Sequence, residues 1–285
     1  MLPTLLKLGP ITLHSYGLMI ALGFLLAVYL TRRDAAKVGI DPDIMSDTGF
    51  WLLLLGIIGA RIFHIIWYPA GYSWSNPLGW IAVWEGGLVF LGALPPCIVY
   101  CVYVVRRNKI RAWVFADVVT PYIPLGHAFG RVGCFLNGCC YGEQCDLPWA
   151  VSFPRVPHDL SEAAVGSPPY LHHVHEGLIP PDAQWSLPIH PTQLYSVIGL
   201  LAIFTIIIVL RKRWRPFTGF TFTFYLMLYG TMRFGVEFLR GDGNPGHVPG
   251  LSDMQLISLG MVLTGVVMTY ILRRLDLPHG KPQPF

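Results

Sequence analysis

Long apolar runs alternate with short polar breaks along the whole of this 285-residue chain. Seven runs, at residues 16–31, 48–67, 87–105, 113–130, 192–210, 217–239 and 254–272, come close to the length of a membrane-crossing helix. Such a helix needs about 20 mostly apolar residues. The first run is short unless residues 11–15 are counted with it. Pro121 and Pro124 interrupt the fourth, and a missing donor plus a ring clash one turn back predict a kink there. The pattern predicts an all-α polytopic membrane protein with seven transmembrane helices.

Composition agrees with the pattern. The chain is 53% hydrophobic and only 13% charged, where a soluble domain carries about 25% charged residues. The net charge of +4 is small, and no basic patch interleaved with aromatics suggests nucleic acid. Its placement is more telling. Arg32, Arg33 and Lys37 follow the first run; Arg106, Arg107, Lys109 and Arg111 follow the third; Arg211, Lys212, Arg213 and Arg215 follow the fifth; Arg273, Arg274 and Lys281 follow the seventh. Basic residues mark the cytoplasmic side, so the N-terminus is expected outside and the C-terminus inside. No basic n-region or small-residue cleavage site precedes the first run, and no cleavable signal peptide is expected.

Two outer connections are long. Residues 68–85 are rich in Trp and Tyr (Tyr68, Tyr72, Trp74, Trp80, Trp84), as in an interfacial arm. Residues 139–191 hold many prolines and the histidines His158, His172, His173, His175 and His190. Too little apolar content is present there for an independent core, so a small head capping a single membrane domain (residues 1–285) is expected. The histidine spacing does not match a metal site; neither a metal nor any other cofactor is expected.

Chemistry concentrates where spans two, four and six carry arginine towards the outer face: Arg61, Arg131, Arg233 and Arg240. Charge at membrane depth marks a functional site by default. Arg233 and Glu237 stand four apart, one turn along a helix face, and can pair. His127 and Arg131 share the same spacing; a cation beside an imidazole favours its neutral, proton-accepting form. Two guanidinium groups near the outer leaflet suit the phosphate of a phospholipid headgroup. Asn137, Gly138, Cys139, Cys140 and Cys145 follow, where an oxidising compartment permits a disulfide, with Cys140–Cys145 the less strained closure.

HSYGLM (14–19), GAR (59–61), EGGLVFLGAL (85–94), GRVGCFLNGCCYG (130–142), HPTQLY (190–195) and YGTMRFGVEFLR (229–240) together resemble the bacterial prolipoprotein diacylglyceryl transferases, in order and over essentially the whole chain. The resemblance implies seven spans in the inner membrane with a periplasmic head between spans four and five. It implies transfer of diacylglyceryl from phosphatidylglycerol to the lipobox cysteine of a prolipoprotein signal peptide, forming a thioether and releasing glycerol-1-phosphate. It makes Arg131 the phosphatidylglycerol-binding arginine and places Arg233, Glu237, Tyr16, Tyr229, Asn137 and Gly142 at other functional positions; Arg61 joins the binding set. Nothing in the chain demands more than a monomer.

The chain departs from the family pattern. Leu91 stands where a histidine is common, before Gly92 and Ala93, and Cys134 and Cys139 replace other residues. His127 is therefore expected to act as the base, alongside Arg233 and Glu237. A covalent intermediate on Cys134 or Cys139 is disfavoured, because a thioether is a poor leaving group. The competing classes are a diverged paralogue without the activity, an anion or lipid transporter, and a thiol oxidoreductase. The last two lack an inverted repeat and a C-x-x-C pair, respectively.

Overall fold

The computed structural model describes residues 4–8, 11–72, 77–83, 86–155, 166–214, 216–242 and 248–276. Trp74, Trp84, Glu85, His158, Arg215 and Lys281 lie outside the described residues. Two strands, β1 (Thr4–Leu8) and β2 (Ile11–His14), form an antiparallel hairpin. The helices are α1 (Ser15–Lys37), α2 (Pro42–Trp67), α3 (Phe90–Arg107), α4 (Ala112–Val119), α5 (Tyr122–Asn137), α6 (Pro168–His175), α7 (Thr192–Arg213), α8 (Phe220–Glu237) and α9 (Asp253–Asp276). The fold is thus mostly helical, with one small hairpin that the all-helical expectation did not include. Residues 11–14 join that hairpin instead of lengthening the first helix, which gains its extra turns at the other end.

Among the described residues, four helices are long and apolar enough by themselves to cross a membrane: Ser15–Lys37, Pro42–Trp67, Thr192–Arg213 and Asp253–Leu275. Their outer faces are not those of a soluble protein. Ile66, Ile198 and Leu263 are each 65–67% exposed, a surface that hydrocarbon accepts and water does not. The fourth apolar run is broken, as its prolines require. α4 stops at Val119, Pro121 sits at the start of α5, and Pro124 falls in its first turn, where backbone donors have no intrahelical partner.

The chain divides into two compact units, Val28–Phe115 and the remainder, Met1–Ala27 with Ala116–Phe285. In the first, α2 packs on α3. In the second, α5 packs on α7, α7 on α8 and α8 on α9. The α8–α9 seam is tight because a side chain at Gly230 would collide with the Ser258 carbonyl and Val262.

One buried carboxylate organises the start of α8. Asp117, fully buried on α4, accepts hydrogen bonds from the backbone N–H groups of Gly219 (2.7 Å), Thr221 (2.9 Å) and Phe222 (3.4 Å). It caps, from 102 residues away in sequence, a helix whose own preceding residue is glycine and supplies no side-chain cap. Capping and a negative charge both favour this helix end. Replacing Asp117 by Ala strands those donors and is expected to cost about 1–3 kcal/mol, read as a lower melting temperature in detergent.

Candidate active site at the ends of α5 and α8

α5 and α8 meet at their aromatic and ionisable side chains. The His127 ring lies 5.6 Å, centroid to centroid, from Tyr229 of α8, and Tyr229 stacks on Tyr225. One turn beyond His127, Arg131 donates from Nε to His127 Nε2 at 3.3 Å. That nitrogen therefore carries a lone pair, and the imidazole is neutral with its proton on Nδ1. No other hydrogen bond of the Arg131 guanidinium is formed among the described residues. One turn beyond Tyr229, Arg233 pairs with Glu237, the two side chains being 11% and 5% exposed. Both arginines lie within electrostatic reach of His127.

Glu237 has a second partner that the sequence analysis did not name. Ser252 donates to its Oε1 at 3.0 Å, so the carboxylate is held from α8 and from the start of α9. A signal for Ser252 was present in the run S-D-M-Q. Gln255 accepts from the Ser252 backbone N–H (2.9 Å) and donates its own to Ser252 Oγ (3.2 Å), the reciprocal arrangement of a helix capping box. Arg240, just past α8, binds both oxygens of Asp242 at 2.8 Å.

α5 ends on Gly138 in the left-handed conformation, and the chain turns through the cysteines towards Gly142. There three segments cross. Gly142 N–H donates to the His190 carbonyl (3.1 Å), Glu143 N–H to the Leu239 carbonyl (2.9 Å) and Gly241 N–H to the Tyr141 carbonyl (3.2 Å). A Cβ on Gly142 would sit 2.5 Å from the His190 Cβ and 2.6 Å from the His190 and Leu239 carbonyl oxygens. Thr192 and Gln193, both buried at the start of α7, donate to the carbonyls of Cys140 (2.8 Å) and Cys139 (2.9 Å). They belong to the HPTQLY landmark, in which a hydroxyl and an amide at these two positions gave no individual signal.

All six cysteines are free thiols. Instead of facing Cys145, Cys140 joins Cys134 and Cys139, and Cys145 is held by its backbone N–H on the Pro188 carbonyl. Hydrogen bonds from the thiols of Cys134 and Cys139 outweigh burial and hold the Cys140 thiol well below its usual range, with Arg131 and Arg240 adding to the effect.

The head has more structure than its composition suggested. Tyr141, Phe153 and Ile189 form a small buried cluster with Phe135 of α5 packed against it. His173 is buried on α6 and accepts from the Leu187 backbone N–H at 3.2 Å. Its pKa is lowered, first by burial and then by His172. A cavity of about 150 Å³ lies against Tyr141, Gly142, His172 and His173, too small for a phospholipid.

Tyr16, at the start of α1, is 40% exposed and packs over Gly133 of α5. Asn137 closes α5, and its side chain hydrogen-bonds the Cys139 thiol. Arg61 belongs to the other unit and is occupied there. Its guanidinium donates to the carbonyls of Gly79, Trp80, Gly86 and Gly87, under the Tyr72 ring. It holds the described part of the aromatic arm against α2.

Several helices long and apolar enough to cross a membrane, with a buried Arg233–Glu237 pair and an Arg131–His127 contact between helical turns, define a polytopic membrane protein. The chain belongs to the prolipoprotein diacylglyceryl transferase family, whose model matches residues 3–271. It is 35% identical over 277 residues to the phosphatidylglycerol–prolipoprotein diacylglyceryl transferase of Geobacter sulfurreducens, covering 95% of both chains. The enzymes of the same name from Proteus mirabilis and Bordetella avium are 33% and 34% identical over 280 residues. Each alignment covers 95% of this chain, and 92% and 95% of theirs respectively.

Gly142→Ala is expected to destabilise the crossing by about 1–3 kcal/mol through overpacking, seen as faster amide exchange at Gly142, Glu143 and Gly241. The His173 pKa, lowered in the folded head, adds a pH dependence. Above the unfolded value of about 6.5 the neutral ring costs nothing. As pH falls below it, the unfolded state takes up the proton first and the head loses stability. Limited proteolysis at about pH 5 should therefore cut the head faster than at about pH 7, and His173→Asn should flatten the difference.

Proposed function

We propose that this chain transfers the diacylglyceryl group of phosphatidylglycerol to the lipobox cysteine of prolipoproteins. The observation that carries the reading is the Arg131–His127 contact beside the Arg233–Glu237 pair, in a chain matched to this family over nearly its whole length. Arg131 and Arg233 hold the phosphate and take the charge that grows on the leaving oxygen. A phosphate that recruits Arg131 through Nε and one Nη draws it off His127. The freed Nε2 then accepts the thiol proton, and thiolate is the nucleophile. Sulfur attacks the glyceryl carbon, the carbon–oxygen bond breaks, and its electron pair leaves on glycerol-1-phosphate.

Glu237, fixed by Ser252, keeps Arg233 in place. Tyr229 and Tyr16 flank the histidine and the thiol turn, Asn137 orients Cys139, and Gly142 fixes the loop. Arg61 acts at a remove, by shaping the arm. The chain is a monomer spanning the bacterial inner membrane seven times, with α4 and α5 forming one broken span. Its N-terminus and head are periplasmic, its C-terminus is cytoplasmic, and the site opens to the periplasmic leaflet. The basic ends of α1, α3, α7 and α9 support that orientation.

The test is transfer from radiolabelled phosphatidylglycerol to a lipobox peptide in detergent. Arg131→Ala is expected to lose about 100-fold or more, and Arg131→Lys should recover only part, since ammonium lacks the planar fork. His127→Ala should abolish transfer while membrane insertion persists. Wild-type rates for Arg131→Ala would refute the phosphate site, and wild-type rates for His127→Ala would refute the base.

A further inference from the structure

We propose that Cys134, Cys139 and Cys140 form a three-thiolate site for a thiophilic cation of the zinc class. Their sulfur atoms all lie within 4.8 Å of one another. Zinc–thiolate bonds of about 2.3 Å in a tetrahedral site set sulfurs about 3.8 Å apart, so closure onto an ion needs movements of about 1 Å or less. The last turn of α5 supplies Cys134. The turn after left-handed Gly138 supplies the other two, with Cys140 itself at φ 59°. That turn is held independently of the thiols, because Gln193 and Thr192 bind the carbonyls of Cys139 and Cys140. The ligands are therefore brought together before any ion arrives, which lowers the ordering cost of binding.

The donor set selects the ion. Three sulfurs with no carboxylate or imidazole among them favour zinc or copper(I) over magnesium or calcium. Three thiolates around a divalent ion leave one net negative charge, and Arg131 and Arg240 both lie within electrostatic reach of Cys140 to offset it. Three protein ligands also leave the fourth coordination position of zinc to water or another ligand. Bound there, the ion ties the end of the helix carrying Arg131 to the loop that runs to Gly142. The proposal stands apart from the transferase reading, and its test does not use activity.

The full chain, purified in detergent under reducing conditions, is equilibrated with zinc ion alone and freed of excess. One zinc per chain is expected, with a rise in melting temperature. Three thiols should become protected from alkylation, and cobalt(II) in place of zinc should give a thiolate charge-transfer band of three-sulfur intensity. Cys140→Ser should cut that band to two-sulfur intensity and lower zinc retention at least tenfold, while Cys145→Ser should leave both unchanged. Zinc retained equally by a variant with Ser at all three positions would overturn the proposal. So would absence of zinc from the wild-type protein, or a disulfide within the trio in protein prepared without reductant.

Discussion

An arginine and a glutamate sharing one face of α8 at 11% and 5% exposure set the terms for the rest of the second unit. Neither charge survives alone at that depth, since breaking a buried pair leaves an uncompensated ion. The pair therefore needs its surroundings. Ser252 takes the second carboxylate oxygen, which in turn fixes where α9 begins, and α9 packs along the length of α8. The guanidinium is held in a fixed place beside His127 and Tyr229 rather than free to snorkel to the surface. In the proposed function, an anion site made this way is organised before the anion arrives, which is the condition under which charge stabilisation contributes most to catalysis.

The same logic separates two arginines that composition and periodicity alone treat alike. Arg61 and Arg131 both sit in apolar helices and both read as intramembrane cations. Arg61 gives its donors to four backbone carbonyls, the number expected of a structural pin. Arg131 gives one to a neighbouring imidazole. Composition and periodicity carry no information about carbonyls that arrive from a loop 18 to 26 residues away, so the distinction was invisible until the arm was folded.

Legibility followed range. The long helices, the break at Pro121, the Arg233–Glu237 pair and the His127–Arg131 pair are all encoded within one or two turns, and periodicity reads them directly. The family landmarks extended that reading to Tyr16, Asn137 and Gly142. What escaped depends on contacts between distant segments: Asp117 capping α8, Ser252 holding Glu237, and the gathering of Cys134 with Cys139 and Cys140 in preference to Cys145. The hairpin at residues 4–14 escaped for a different reason. Its strands of five and four residues are too short to oppose the apolar pattern that runs into α1.

The crossing at Gly142 is built from main-chain donors and acceptors alone, so it places no demand on the chemistry of the residues around it. Glu143, His190 and Leu239 can each be exchanged without losing a single bond of the ladder, as long as none becomes proline where an amide is needed. The glycine has no such freedom. Sequence drift in this corner of the molecule is therefore channelled: the loop can change its character, acquiring thiols or losing them, while the frame that aims it stays fixed.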